Sequence, residues 1–534
     1  MKLTRLIISA TIGCCATASI ANIFSQPKFD AAQKLHITEK IIENFYVDTV
    51  STDKIVEKGI IAMLKELDPH SVYTTAEETK ALTEPLNGNF SGIGVQFQMV
   101  QDTVYVIQSV AGGPSEKVGI IPGDRIVACN DTVLAGIKMP QSDIMKHLRG
   151  PKGTVANLKV VRRSEPDTLL FRVIRADIPL NTVDAAYMAT PSTGYIKVTS
   201  FGAETPREFK EALTTLRKQG MKNLIIDLTD NGGGYLNSAV DMAGEFLPAG
   251  STVVYTEGLN SDPHHYKAEN RRPDIDGRIV VMTNEFSASA SEILSGAVQD
   301  YDRGLVVGRR TFGKGLVQRP FPFPDGSMVR LTTAYYYTPS GRSIQKPFTR
   351  GDKDSYDKDL SNRYDHGEIF SIDSIRMDST KVYHTLITAR TVYGGGGIMP
   401  DLFVPADTTG INKYFRELRA KNVISQFVVD YIEKNRDKIK KNYPTEDAFV
   451  NGFAVNDEMI NDFHEMATKL GVEFNAEQFD AAKPYILGNV KGLIGRDLFT
   501  PTTFYRVFNP LNPIYKQALD LINDPKTYNS LLKK

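Results

Sequence analysis

Ser287-Ala288-Ser289-Ala290-Ser291-Glu292-Ile293 opens, and Thr311-Phe312-Gly313-Lys314-Gly315-Leu316-Val317-Gln318 closes, the stretch around which this chain is organised. The small residues and serines give way to an apolar helical run through Ile293, Leu294, Ala297 and Val298, so the first part reads as a loop entering a helix. That end of a helix carries unpaired N–H groups and partial positive charge, which suits an oxyanion. Arg278-Ile279-Val280-Val281-Met282 before it, and Leu305-Val306-Val307 after it, read as strands. Strand, helix and strand in succession predict α/β layers.

Ser289 and Lys314 are the candidates for chemistry. A serine hydroxyl is a poor nucleophile until a base takes its proton. A lysine serves only when neutral, and burial can lower its pKa from ~10.4 to about 7–8. Phe312, Leu316 and Val317 are apolar flanks consistent with burial, and Gln318 is a neutral partner for the amine. Composition alone equally allows an ordinary helix cap and an exposed glycine turn.

The paired motif, with the lysine 25 positions after the serine, resembles the carboxyl-terminal processing (tail-specific) serine peptidases. The resemblance implies an α+β multidomain protein with a ClpP/crotonase-like peptidase core and a PDZ domain. It also implies a Ser289–Lys314–Gln318 triad with no metal and no cofactor. Acyl transfer needs two N–H donors at the developing oxyanion. Ala290, just after the serine, is one. The family's glycine turn, here Thr229-Asp230-Asn231-Gly232-Gly233-Gly234, places the other at Gly233, with Gly232 as the alternate. Thr229 stands where the family often has Arg, which removes a local ion pair.

At 534 residues, with 41% hydrophobic and 24% charged residues, the chain has the size and composition of several globular domains. Net charge is zero, so nothing steers it toward nucleic acid. Residues 1–26, with Lys2, Arg5 and an apolar core from Leu6 to Ile12, read as a signal peptide or N-terminal anchor. Ala16-Thr17-Ala18 offers a cleavage site and Ile12-Gly13-Cys14 a lipoprotein-like alternative. The expected location is therefore the periplasm or cell envelope. Of Cys14, Cys15 and Cys129 only the last lies beyond this leader, so no disulfide framework is expected and Cys129 reads as a buried strand residue.

Within an N-terminal helical region of residues 27–86, residues 34–67 are helical in period, with Ile37, Ile41, Ile42 and Phe45 on one face, and the second helix stops at Asp68-Pro69 in Leu67-Asp68-Pro69-His70-Ser71. His70 reads as a turn residue beside Pro69 rather than a base. Residues 87–178 change to short strands and glycine turns that resemble a PDZ domain. There Gly92-Ile93-Gly94-Val95 would receive a terminal carboxylate and an extended peptide, and Arg125 would sense the carboxylate. Residues 179–405 form the expected peptidase core, including a charged stretch at 350–380 read as an exposed insertion. Residues 406–534 read as a helical domain suited to docking on the core or to homo-oligomerisation, and its Glu433–Lys441 segment as a solvated face.

The partners expected from the resemblance are unstructured protein C-termini, with an adaptor protein as a further partner. Two rival readings use the same residues. A non-catalytic PDZ scaffold would bind tails and leave Ser289 and Lys314 idle. Gly308 to Lys314 matches half of a phosphate-binding loop, but Gly315 stands where Ser or Thr should hold magnesium. His264-His265 reads as a polar loop, and His464-Glu465 lacks the second histidine of a zinc motif, since residue 468 is Thr.

Overall fold

The computed structural model describes residues 30–269 and 275–533. The leader of residues 1–26, with Cys14 and Cys15, lies outside them. Among the described residues no helix is long and apolar enough to cross a membrane.

Two helices, α1 (Ala31–Phe45) and α2 (Thr52–Lys65), come first, each begun by a side-chain cap, Asp30 and Ser51. Among the described residues nothing covers the face predicted for α1: Ile37, Ile41 and Phe45 are exposed. After the turn at Asp68-Pro69, strand β1 (Val72–Thr74) runs into the sheet of the distant core.

The PDZ region is a six-stranded antiparallel sheet built on β2 (Val95–Val100), β3 (Thr103–Ser109), β4 (Arg125–Cys129), β5 (Val155–Val161) and β6 (Leu169–Ile174), in that spatial order. Residues 132–133 add a short strand on β4. Helix α3 (Gln141–Leu148) buries Ile144 and Leu148 in the same core. Cys129 is free and buried in β4.

The expected peptidase core holds a six-stranded sheet ordered β7 (Val183–Thr190), β8 (Thr193–Val198), β9 (Asn223–Asp227), β12 (Ile279–Thr283), β13 (Leu305–Gly308) and β16 (Leu402–Phe403). All pairs from β8 to β16 are parallel. Parallel strands are covered on both faces, which is why these read as unbroken apolar runs rather than alternating ones. One face, with Ile196, Ile226 and Val281, lies under α4 (Thr205–Lys218), α5 (Leu236–Ala243) and α6 (Ala290–Asp300). The other, with Tyr195, Ile225 and Val280, is covered by Ile514 and Ala518 of a helix over Pro513–Asn523. The last part of the C-terminal region is thus structurally part of the core.

A second, five-stranded sheet pairs β1, β15 (Met328–Tyr337), β10 (Thr252–Gly258) and β11 (Ser261–Lys267), with β14 (Leu316–Pro322) also on β15. His264 and His265 lie in β11, not in a loop, because Tyr255 and Thr256 of β10 pair with them across the hairpin. The insertion at 350–380 is not wholly exposed either. It contains two short helices, α7 (Lys353–Asp357) and α8 (Asp359–Asp365), which bury Tyr356 and Arg363. Arg363 donates to the carbonyls of Thr311 and Phe312 at 2.8 and 3.0 Å, so this segment braces the turn that carries Lys314.

The remaining C-terminal helices form their own core, including α9 (Val423–Asn442) and α10 (Ala476–Leu498). Val429 of α9 packs with Val100, Tyr105 and Ile107 of the PDZ region.

Candidate active site

Parallel strands bring their C-terminal ends to one edge, where ligands bind in α/β sheets. Here β9 delivers the Asn231-Gly232-Gly233 turn and β12 delivers Ser289 to the same edge. Gly233 touches Ser289 closely. A Cβ at Gly233 would fall 2.7 Å from Ser289 Cβ and 2.7 Å from the Ala288 carbonyl, so only glycine fits.

Ser289 is the N-cap of α6 and has φ 56° and ψ −114°. For a residue with a side chain this is a sparsely populated conformation that costs of order 1–3 kcal/mol. It persists because α6 is buried along its whole length and because Glu292 grips the turn. The Glu292 carboxylate is fully buried. It accepts from the backbone N–H of Ser289 (2.8 Å) and Lys314 (2.9 Å) through Oε2, and from that of Gly313 (2.7 Å) and the Thr311 hydroxyl through Oε1. Burial pushes its carboxyl above the ordinary value while the four donors oppose that rise. The Tyr336 hydroxyl makes a second tie, donating to the carbonyls of Ser289 and Lys314.

Lys314 lies in the turn between β13 and β14. Burial, helped by the nearby Arg330 charge, lowers its pKa from 10.5 to about 8, against weaker pulls from Glu292 and Asp68. An amine in that range is neutral often enough to act as a base near neutral pH. Among the described residues Lys314 Nζ has no hydrogen-bond partner, so neither Ser289 Oγ nor Gln318 is joined to it in this conformation. Gln318 donates Nε2 to the Leu316 carbonyl (3.1 Å) and to Thr332 Oγ1 (3.2 Å).

The N–H of Ala290 has no acceptor among the described residues. The N–H of Gly233, the residue expected as the second oxyanion donor, donates to Asn231 Oδ1 at 2.8 Å. Gly232, the alternate, has no such bond. The structure agrees with setting the half phosphate loop aside. Lys314 leads into strand β14 rather than a helix, so there is no helix N-terminus to hold a phosphate.

The PDZ region presents a groove of about 280 Å³ between β2 and α3, lined by Phe90, Ile93, Gly94, Val95, Phe97, Met145, Leu148 and Arg149. Strand β2 is at the sheet edge, so its outer side is open to an added strand. Gly94 has φ 73°, and the Ile93 and Gly94 carbonyls accept from Ser115 and Val110, which fixes the loop's peptide planes. Gly92 sits at the loop's base, bridged to Arg149. Arg125 is not in the groove. It is bound in bidentate fashion to Glu433 of α9 at 3.1 and 2.9 Å, because the β3–β4 face docks on that helix. Glu433 is therefore a docking contact and not part of a solvated face. The groove's arginine is Arg149, with its guanidinium 4.4 Å from the centre of the Phe90 ring.

Residues 192–353 match the model of peptidase family S41, residues 91–173 that of a PDZ domain, and residues 414–500 a family of unknown function. A probable CtpA-like serine protease of Staphylococcus aureus (strain N315) is 34% identical over 349 residues, 64% of this chain and 69% of the relative. The chain belongs to peptidase family S41. A probable CtpA-like serine protease of Staphylococcus epidermidis is 35% identical over 323 residues, 60% of this chain. This S41 chain spans 64% of that relative's length. Among solved structures, the photosystem II D1 C-terminal processing protease aligns at 29% identity with a TM-score of 0.34, covering 58% of this chain and 83% of that one.

Two residues at these candidate sites escaped the sequence reading although a signal was present. Ser289-x-x-Glu292 has the spacing of a capping box, which points to a carboxylate beside the serine N–H. Arg149 ends α3, the helix facing the edge strand of the groove. Tyr336 carries no comparable local signal.

Proposed function

We propose that this chain is a serine endopeptidase that captures unstructured C-termini of exported proteins in its PDZ groove and cleaves them at Ser289. One observation carries this reading: a strained serine and a buried lysine of lowered pKa are held by the same carboxylate, Glu292. Ser289 Oγ attacks the substrate carbonyl and passes its proton to neutral Lys314. The ammonium then returns that proton to the leaving amine, and water releases the acyl group by the same two transfers. The N–H groups of Ala290 and Gly232 receive the oxyanion, and Gln318 orients the amine.

A peptide paired with β2 would place an apolar final side chain among Ile93, Phe97, Met145 and Leu148. The open triad supports a PDZ-gated enzyme in which tail binding closes the Lys314 contacts. Export to the cell envelope rests on the leader of residues 1–26.

Ser289→Ala tests the reading. Cleavage of an unfolded protein with an apolar tail should be lost while tail binding to the groove persists. Retained cleavage would remove Ser289 as the nucleophile, and tail binding with no cleavage by the natural chain would leave the PDZ scaffold as the function.

A further inference from the structure

Gln318 sits across β14–β15 from Thr332, beside a bulge at Val317/Gln318. Thr332 Oγ1 in turn donates to Asp68 Oδ1 at 2.9 Å, a contact spanning 264 positions of chain. Asp68 lies outside residues 192–353, the stretch that matches the peptidase family. It reaches the site because β1 adds to β15, pairing Val72 with Arg330 and Thr74 with Met328. The Asp68 carboxylate also accepts from the backbone N–H of His70 (2.9 Å) and Ser71 (3.0 Å) and from the Ser71 hydroxyl (2.5 Å). Ser71 Oγ accepts from the Thr332 N–H at 3.1 Å.

These bonds have a direction. An ionised carboxylate only accepts, so the Thr332 hydroxyl hydrogen must point at Asp68. Thr332 Oγ1 then offers Gln318 only a lone pair, so the amide must present nitrogen to it. The second amide hydrogen is taken by the Leu316 carbonyl. Both donors of Gln318 are thus committed, and Oε1 is the atom left for a new contact. A lysine acting as a base needs such an acceptor. Its N–H must point at a neutral oxygen so that its lone pair faces the serine hydroxyl.

We propose that Asp68, acting through Thr332, is a positioning residue that fixes the amide of Gln318 with its oxygen turned toward Lys314. This rests on the proposed role of Gln318 in the triad. The turn between α2 and β1 therefore sets the polarity of the catalytic hydrogen-bond chain from outside the core, and the site is complete only when β1 is paired to β15. The His70 side chain takes no part in this chain: its Nε2 is engaged by the Tyr356 hydroxyl at 2.9 Å.

The test compares Thr332→Val, Thr332→Ser, Asp68→Asn and Gln318→Ala in the full chain, with folding checked by thermal melting. Thr332→Val should lower kcat about tenfold with KM within about twofold, since one orienting hydrogen bond is lost. Thr332→Ser should restore the rate. Asp68→Asn, whose amide can donate to Thr332, should match Thr332→Val. In the Gln318→Ala background Thr332→Val should cost nothing further. An equal loss in that background, or no loss in Thr332→Val where Gln318→Ala is impaired, would overturn the relay and leave the triad standing. Full activity in Gln318→Ala would remove the triad reading and the relay together.

Discussion

The backbone nitrogens of Ser289 and Lys314 donate to one oxygen atom, Oε2 of buried Glu292, at 2.8 and 2.9 Å. The proposed nucleophile and base come from different turns, yet their main chains share a single acceptor, so neither can shift without the other. Tyr336 repeats the tie from the carbonyl side.

Glu292→Gln keeps the shape but turns an acceptor into a donor facing N–H groups. The expected result is a loss of about 2–3 kcal/mol in denaturant unfolding, the cost of unpaired buried donors. Peptide cleavage should fall about a hundredfold because the geometry of both Ser289 and Lys314 loosens. Unchanged cleavage with unchanged stability would show that the shared acceptor is not needed.

The pH dependence of cleavage follows from Lys314. Its protonated form cannot accept the serine proton, so kcat/KM should rise with pH along a limb whose midpoint is near 8. The groups facing it are Arg330, which lowers that midpoint, and Glu292 and Asp68, which raise it. His70, also close by, is neutral across this range, since burial and the Lys314 charge lower its pKa to about 3. Replacing Arg330 by Met should therefore move the limb upward. A limb centred near 6 would instead identify a histidine base.

Stability should change with pH in the same window. Lys314 has a folded pKa of about 8 against 10.5 when unfolded. Between those values the unfolded chain binds more protons, so stability rises with pH there and the full penalty applies below 8. The shift corresponds to about 3 kcal/mol. Lys314→Met should thus be inactive yet melt higher than the natural chain at pH 7, with the gap closing toward pH 10. A lower melting temperature at pH 7 would contradict the burial argument.

Arg125 and Arg149 should separate docking from recognition. Arg149→Ala should weaken binding of a tail peptide about tenfold, measured by calorimetry or fluorescence polarisation, because it removes a cation lining the groove. Arg125→Ala should leave that affinity within about twofold. It should instead loosen the contact with Glu433, seen as faster hydrogen exchange in β4 and α9.

The sequence by itself determined the local elements and the serine-peptidase class. The strands at 223–228 and 278–282, the helix after Ser289, the hairpin around Asp325 and the PDZ turns follow from apolar period, glycine and proline, which act over a few residues. The spacing of Ser289, Lys314 and Gln318 carried the family resemblance. Tertiary structure alone decided which atoms are free to act. It gave the Gly233 N–H to Asn231, took Arg125 out of the groove to Glu433, and brought Asp68 to Thr332. The physical reason is that a hydrogen bond is settled by competition among all acceptors within about 3 Å. When partners lie hundreds of positions apart, only the packed sheets bring those competitors together.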